Sequence, residues 1–205
     1  GIVKLGVKLS DQVNSFDTSY FNADPLTGRE LIDAGRSNLF EVDERNLALY
    51  GSYQRRLNER WGVLGGMRVE HTGLEVHQRT SGTEADNSYT NYIPSMFLTY
   101  KASETGNLRL SYAHRIRRPN GNDLNPFIVY RDEFNVSAGN PQLGPSESDS
   151  LELGYETKFG VVDTNLRAFF RHEDDVIVER SYFVADNVLL TTRDNSGKNR
   201  SAGLE

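Results

Sequence analysis

Apolar and polar residues alternate with period two through almost the whole chain, and few folds accommodate that pattern. In an extended backbone successive side chains point to opposite faces, so strict alternation sorts a strand into a greasy side and a wet side. Val3, Leu5, Val7 and Leu9 share one face, with Lys4, Gly6, Lys8 and Ser10 opposite. The same holds for Leu47, Leu49, Tyr53 and Leu57, for Trp61, Val63, Met67 and Val69, and for Tyr92, Met96, Leu98 and Tyr100. It continues in Leu108, Leu110, Tyr112 and Ile116, in Leu151, Leu153, Tyr155 and Phe159, and in Leu166, Ala168 and Phe170. No segment keeps a helical period over three turns. "PLTGRELIDAGR", residues 25–36, is the best short helix candidate, and it sits in a loop. The expected fold is all-β, an antiparallel up-and-down meander of about eight long strands. They fall near 2–20, 40–57, 61–79, 89–101, 107–118, 147–159, 162–182 and 187–195.

The connections sort by length. Residues 21–39 and 119–146 make long links and 80–88 an intermediate one, whereas "NER", "ASETG" and "GV" are short. Long links therefore gather at one end of the sheet and tight turns at the other, as in a transmembrane barrel with short periplasmic turns and longer external loops. The strands also exceed the roughly 9–11 residues a tilted span needs, as if they project beyond the bilayer. Alternation alone favours a soluble antiparallel sheet with one wet face, binding glycan or protein through its loops. Loop sorting and the charge on the polar faces favour a segment of a membrane barrel.

Composition narrows the function classes. The 205 residues are 37% apolar with 18 Gly, 10 Tyr and 10 Phe. Mean hydropathy is −0.59, and no apolar run approaches the roughly 20 residues of a helical span. There is no cysteine, which excludes a disulfide framework and a thiolate metal site. A net charge of −6 argues against a nucleic-acid partner. No G-x-S-x-G, P-loop or H-E-x-x-H pattern is present, so no enzyme is expected. His71 and His77 lie six apart on one strand face, too distant to share an ion, and "HEDDVIVE" (172–179) lacks the Gly and ligand spacing of an EF-hand. Neither a metal site nor a cofactor is expected. The first residue is Gly rather than Met, residues 1–20 do not carry the pattern of a signal peptide, and the sequence is expected to be part of a longer protein.

The most distinctive stretch follows Leu108. There "RIRRPNGNDLNPFIVYRDEFNVSAGNPQLGPSESDSLELGY" places Arg118-Pro119, then Leu124-Asn125-Pro126-Phe127, then Gly139-Asn140-Pro141 with Leu143 and Pro145, then Glu152-Leu153-Gly154-Tyr155. These four ordered motifs resemble the C-terminal barrel region of TonB-dependent outer-membrane receptors, in the branch with an outer-membrane β-barrel of the carboxypeptidase-regulatory-like type. "GGMRVEHT" (65–72), "YIPSMFLTY" (92–100) and "NLALYGSYQRRLNERWGV" (46–63) are similar to the same barrel. One departure is Pro145-Ser146-Glu147, where the family often has Pro-Glu. The resemblance implies that residues 1–205 form a partial outer-membrane barrel domain. A full barrel of this kind closes with about 22 strands around a plug, so the plug and the remaining strands are expected to lie outside this sequence. It also implies outer-membrane lipid around the barrel, a TonB complex engaged through the missing plug region, and import of a metal chelate, glycan or peptide.

Candidate ligand-binding residues follow from that placement. Arg115 and Arg117 share the polar face of their strand, where they would draw in an anionic ligand or pair with acidic plug residues. The plainer expectation is cross-strand pairing with Glu152 or Glu156. Arg118 is expected to point the other way near the rim. The long Asn/Pro/Gly-rich link is expected to be ordered, because Pro fixes φ and Asn bonds its own backbone. Its aromatics Phe127, Tyr130 and Phe134 would stack on a ligand ring or pack the loop against the barrel.

Overall fold

The computed structural model describes residues 1–33 and 35–205. Eight long strands form one curved, open meander: β1 (Ile2–Thr18), β4 (Asn38–Arg56), β5 (Trp61–Gln78), β6 (Thr83–Lys101), β7 (Asn107–Arg117), β10 (Ser146–Phe159), β11 (Val162–Ala185) and β12 (Val188–Leu204). β2 (Phe21–Ala23) and β3 (Glu30–Ile32) make a separate hairpin. α1 (Gly121–Leu124) is a single turn, and β8 (Val129–Tyr130) and β9 (Asn135–Ser137) complete the list of elements. The main sheet runs β1-β4-β5-β6-β7-β10-β11-β12-β9-β8, with every neighbour among the eight long strands antiparallel.

Register turns the separate alternations into two continuous surfaces. One row crosses all eight long strands as Val3, Tyr53, Gly65, Met96, Tyr112, Leu151, Phe170 and Ala202. The row on the opposite face runs Lys4, Ser52, Gly66, Ser95, Ala113, Ser150, Arg171 and Ser201. The apolar face has no second layer over it among the described residues: Leu5 is 81% exposed, and Leu151 and Leu153 are exposed too. A soluble domain would bury this face against its own chain. Trp61, Tyr100 and Tyr155 end the apolar band near the tight turns, with the Trp61 and Tyr100 rings 4.5 Å apart. Such an aromatic edge is where a barrel meets the membrane surface.

The strands are longer than their apolar alternation. β6 begins at Thr83 rather than 89, β11 reaches Ala185, and β12 continues to Leu204 rather than 195. "TEADNSY" and "DNSGKNRS" are mostly polar, with only Ala85 and Tyr89 packing on the core, so hydropathy carries little signal there although the ladder continues. The sorting of loops is correspondingly less pure. Beside the long links, the same end carries a four-residue turn after β5 and the two-residue Asp186-Asn187 turn after β11. At the other end, Gly160 takes φ +61 in the two-residue turn after β10, where a Cβ would be strained. The helix candidate at 25–36 is a correction: it is hairpin. Asp24 Oδ1 accepts from the Leu26 and Thr27 amides, Gly28 takes φ +68, and β3 follows. The Asp side chain competes for the amides a helix would need. Ala34, inside that stretch, lies outside the described residues.

The packed core lies on the inner face, toward the end with the long links. Phe40, Val42, Leu74 and Val76 project from β4 and β5, and Leu124 and Leu143 come from the link 118–145. Phe16 packs alongside, its ring 5.8 Å from that of Phe40. Each leucine contributes about 1.5–3 kcal/mol by leaving water. The long link is therefore folded into the concave side of the wall.

Candidate functional site

Why the link turns inward is decided at its first two residues. β7 pairs with β6 only from Asn107 to Ala113, while β6 itself extends to Thr83. β7 ends at Arg117, and Pro119 cannot donate to a ladder. Once the chain leaves the sheet, alternation no longer dictates side-chain direction. Arg118 thus corrects the expectation that it points away near the rim: it reaches inward across β4 and β5. Its guanidinium pairs with Glu70 and lies 3.4 Å from Glu44 and 3.4 Å from the Thr72 hydroxyl. Glu70, 6% exposed, is held from its other side by Arg68. A half-buried arginine with two carboxylates anchors the start of the link.

The rest is fixed by backbone and amide bonds. Gly139 N donates to Asn125 O at 2.7 Å and Asn140 N to Asp123 O at 2.7 Å, closing the link on itself. A Cβ at Gly139 would lie within 2.8 Å of three backbone atoms of Asp123 and Asn125, so only glycine fits this crossing. Leu143 O accepts from Asn87 Nδ2 of β6 at 3.0 Å, and Gly144 exchanges two bonds with the Asn195 side chain of β12, at 2.9 and 3.0 Å. Ala138 N donates to Thr191 O, and β9 pairs in parallel with β12. The link thereby spans the concavity from β4 and β5 to the far strand.

Between the link and β11–β12 lies a cavity of about 220 Å³ whose lining includes Phe127, Arg131, Asp123, Glu179 and Arg193. Arg193 is neutralised there by Asp123 at 3.4 Å and Glu179 at 2.5 Å. Arg131 has no carboxylate within ion-pair distance among the described residues. At the β8–β9 turn, Asp132 accepts from Phe134 N at 2.8 Å and from Asn135 Nδ2 at 2.9 Å. These bonds, the Phe134 amide foremost, hold its carboxyl below the ordinary 3.8.

Of the expected ligand residues, Phe127 is half-buried and lines this cavity, while Tyr130 and Phe134 stand exposed on β8 and the turn after it. Arg115 and Arg117 lie on the inner face of β7 opposite Ser148 and Ser146, and neither lines the cavity. Of the five, Phe127 alone lines this cavity. Glu156, an expected partner, is taken by Arg109 at 2.9 Å. Arg131 and Arg193 were not distinguishable in the sequence, and the inward turn of Arg118 was not legible there, because each depends on how the link folds. A grouping of metal-ligand type, Asp43, Glu75 and His77 with ligand atoms within 4.8 Å of one another, stands on the outward face away from this side. Arg45 lies 3.7 Å from its Glu75.

The chain matches the outer membrane protein beta-barrel family over residues 2–205. Among solved structures, its fold is similar to the copper transporter OprC, with a TM-score of 0.65 at 14% identity, over 98% of this chain and 32% of that one. It is similar to the ferric-catecholate import receptor Fiu from K12 E. coli, with a TM-score of 0.62 at 16% identity, over 98% and 31%. The ferric citrate transporter FecA gives 0.64 at 16% identity, over 99% and 28%. The chain thus spans about a third of the length of these structures, and at such identities the likeness is one of fold. The chain belongs to the outer membrane protein beta-barrel family and forms, in the outer membrane, a stretch of wall with the barrel fold of TonB-dependent receptors.

Proposed function

We propose that this chain is part of the barrel of a TonB-dependent import receptor, and that the link 118–145 lines the path of the imported ligand. The carrying observation is the seating of that link: it leaves the wall at Arg118, crosses the concave face, and presents Phe127 and Arg131 to the interior. A loop held by core leucines and paired charges is a preorganised surface, and loops on rigid scaffolds are where binding residues concentrate. The barrel itself performs no chemistry. It supplies a hydrated passage, and the energy for uptake comes through a plug and a TonB complex that lie outside this sequence. The solved structures' names suggest a metal ion or metal chelate; glycans and peptides fit the same architecture.

The test is uptake by the full-length protein in a Gram-negative host whose TonB is depletable. Mass spectrometry of cell contents after exposure to mixed chelates, oligosaccharides and peptides should reveal a solute that enters only when both receptor and TonB are present. Replacing residues 120–144 with a short Gly-Ser link should reduce that entry without removing the barrel from the membrane. Uptake indifferent to TonB, or recovery of the protein in the soluble fraction, would refute the proposal.

A further inference from the structure

The inner wall below the folded link carries a second feature. Along β7, β10 and β11 the inward positions form rows: Ala113, Ser150 and Arg171; then Arg115, Ser148 and Glu173; then Arg117 opposite Ser146. Lower in the same wall, arginine and carboxylate pair off, Arg109 with Glu156 at 2.9 Å and Arg167 with Glu205 at 3.7 Å. In the rows above them that pairing lapses, and it resumes with Arg118 and Arg193 at the link. Among the described residues, Arg115, Arg117 and Arg171 have no carboxylate within 4.0 Å, and all three are exposed to the interior. Arg171 Nε instead approaches Ser150 Oγ at 3.4 Å. The acids that face this patch are Glu173, which accepts from Asn199 of β12 at 2.9 Å, and Glu152, one row farther down opposite Ser111 and Phe169.

We propose that Arg115, Arg117 and Arg171, set around the serine column of β10, form a subsite for the oxyanion of an imported solute, a carboxylate or a phosphate; this rests on the import reading above. Ser148 and Ser150 keep the wall low between Arg115 and Arg117 on one side and Arg171 on the other, while Ser146, 6% exposed, accepts from Ile177 N. Like charges gathered on one face repel, and that repulsion is relieved when an anion enters. Guanidinium groups match both oxyanions with two parallel N–H bonds, and hydroxyls complete the donor set. The patch lies on the water-filled side, so the arginines remain hydrated until a ligand displaces that water.

The experiment is isothermal titration calorimetry on the purified full-length protein in detergent, with inorganic phosphate, citrate and glucose as probes. We expect phosphate or citrate to bind, with affinity falling as salt rises, and glucose to give no heat. The two anionic arms separate a phosphate-bearing from a carboxylate-bearing solute. The combined variant Arg115→Gln, Arg117→Gln and Arg171→Gln should lose about tenfold or more in affinity. Arg109→Gln, whose cation already serves Glu156, should bind within about twofold of wild type. Single Arg115→Gln and Arg117→Gln variants serve if the combined one does not fold. The inference is overturned if neither anion binds wild type below about 10 mM, or if the combined variant, or each single variant in its place, binds as wild type does. Binding is read without transport, so uptake that survives a failed titration condemns the subsite alone, and binding without TonB-linked uptake condemns only the import reading.

Discussion

At the scale of single residues, Arg118 decides whether the long link enters the lumen. Its guanidinium is the contact between the link's first residue and the carboxylates of β4 and β5, and Glu70 is almost fully buried. Arg118→Ala leaves Glu70 with Arg68 alone and Glu44 without this partner, a loss of about 2–3 kcal/mol. Hydrogen exchange should then accelerate across 119–145 while the amides of β1 and β4 stay protected. Arg118→Lys should fall between, since a point charge replaces a forked donor. Equal protection of the link in Arg118→Ala and wild type would show that the leucines suffice. The sequence marked this residue only as part of an Arg-Arg-Pro run. Strand alternation assigned it to the wrong face, because alternation ends where pairing ends and Arg118 stands one residue beyond that limit. Arg115 and Arg117, still in the ladder, were placed on the correct face by the same rule.

At the scale of elements, legibility followed hydropathy contrast. Strands such as β7 and β10, with Leu108, Leu110, Leu151 and Leu153 set against Arg and Glu, were visible nearly to the residue. The polar extensions of β6 and β12 were not, because their inner faces meet the link through Asn87 and Asn195 rather than through a run of apolar residues. β8 and β9 are too short to show a period, and their existence depends on the β12 edge they lie beside. They also depend on Asp132. Its carboxylate is stabilised by the turn amides, so its folded pKa is lowered, and the turn gains stability above the unfolded value of about 3.8. That gain declines as pH falls below 3.8 and is gone once pH has fallen through the lowered folded value. The amide of Phe134, which donates to this carboxylate, should lose protection against exchange as pH falls below about 3.8, after correction for intrinsic rates. Asp132→Asn should show no such acid step. A step of the same size in the variant would assign it to another carboxylate.

At the scale of the whole molecule, sidedness is the property that makes this sheet a membrane wall, and adjacent residues can test it. Leu110 faces outward between Leu98 and Leu153 on the neighbouring strands, in the middle of the apolar band. Ser111, the next residue, faces inward between Phe97 and Glu152. Lysine at either site has the same strand propensity and the same position along β7, so only the medium on each face differs. In hydrocarbon, Leu110→Lys must place an ammonium among lipid tails, at about 2–4 kcal/mol. Ser111→Lys enters a hydrated lumen opposite a carboxylate and should change stability by under about 0.5 kcal/mol. Guanidinium unfolding of the full-length barrel in phospholipid vesicles measures both, and a destabilised Leu110→Lys beside an unaffected Ser111→Lys is the expected pattern. In a water-soluble sheet the order would reverse or vanish: a charge on the exposed apolar face would be tolerated or would improve solubility, and Ser111→Lys would carry any cost.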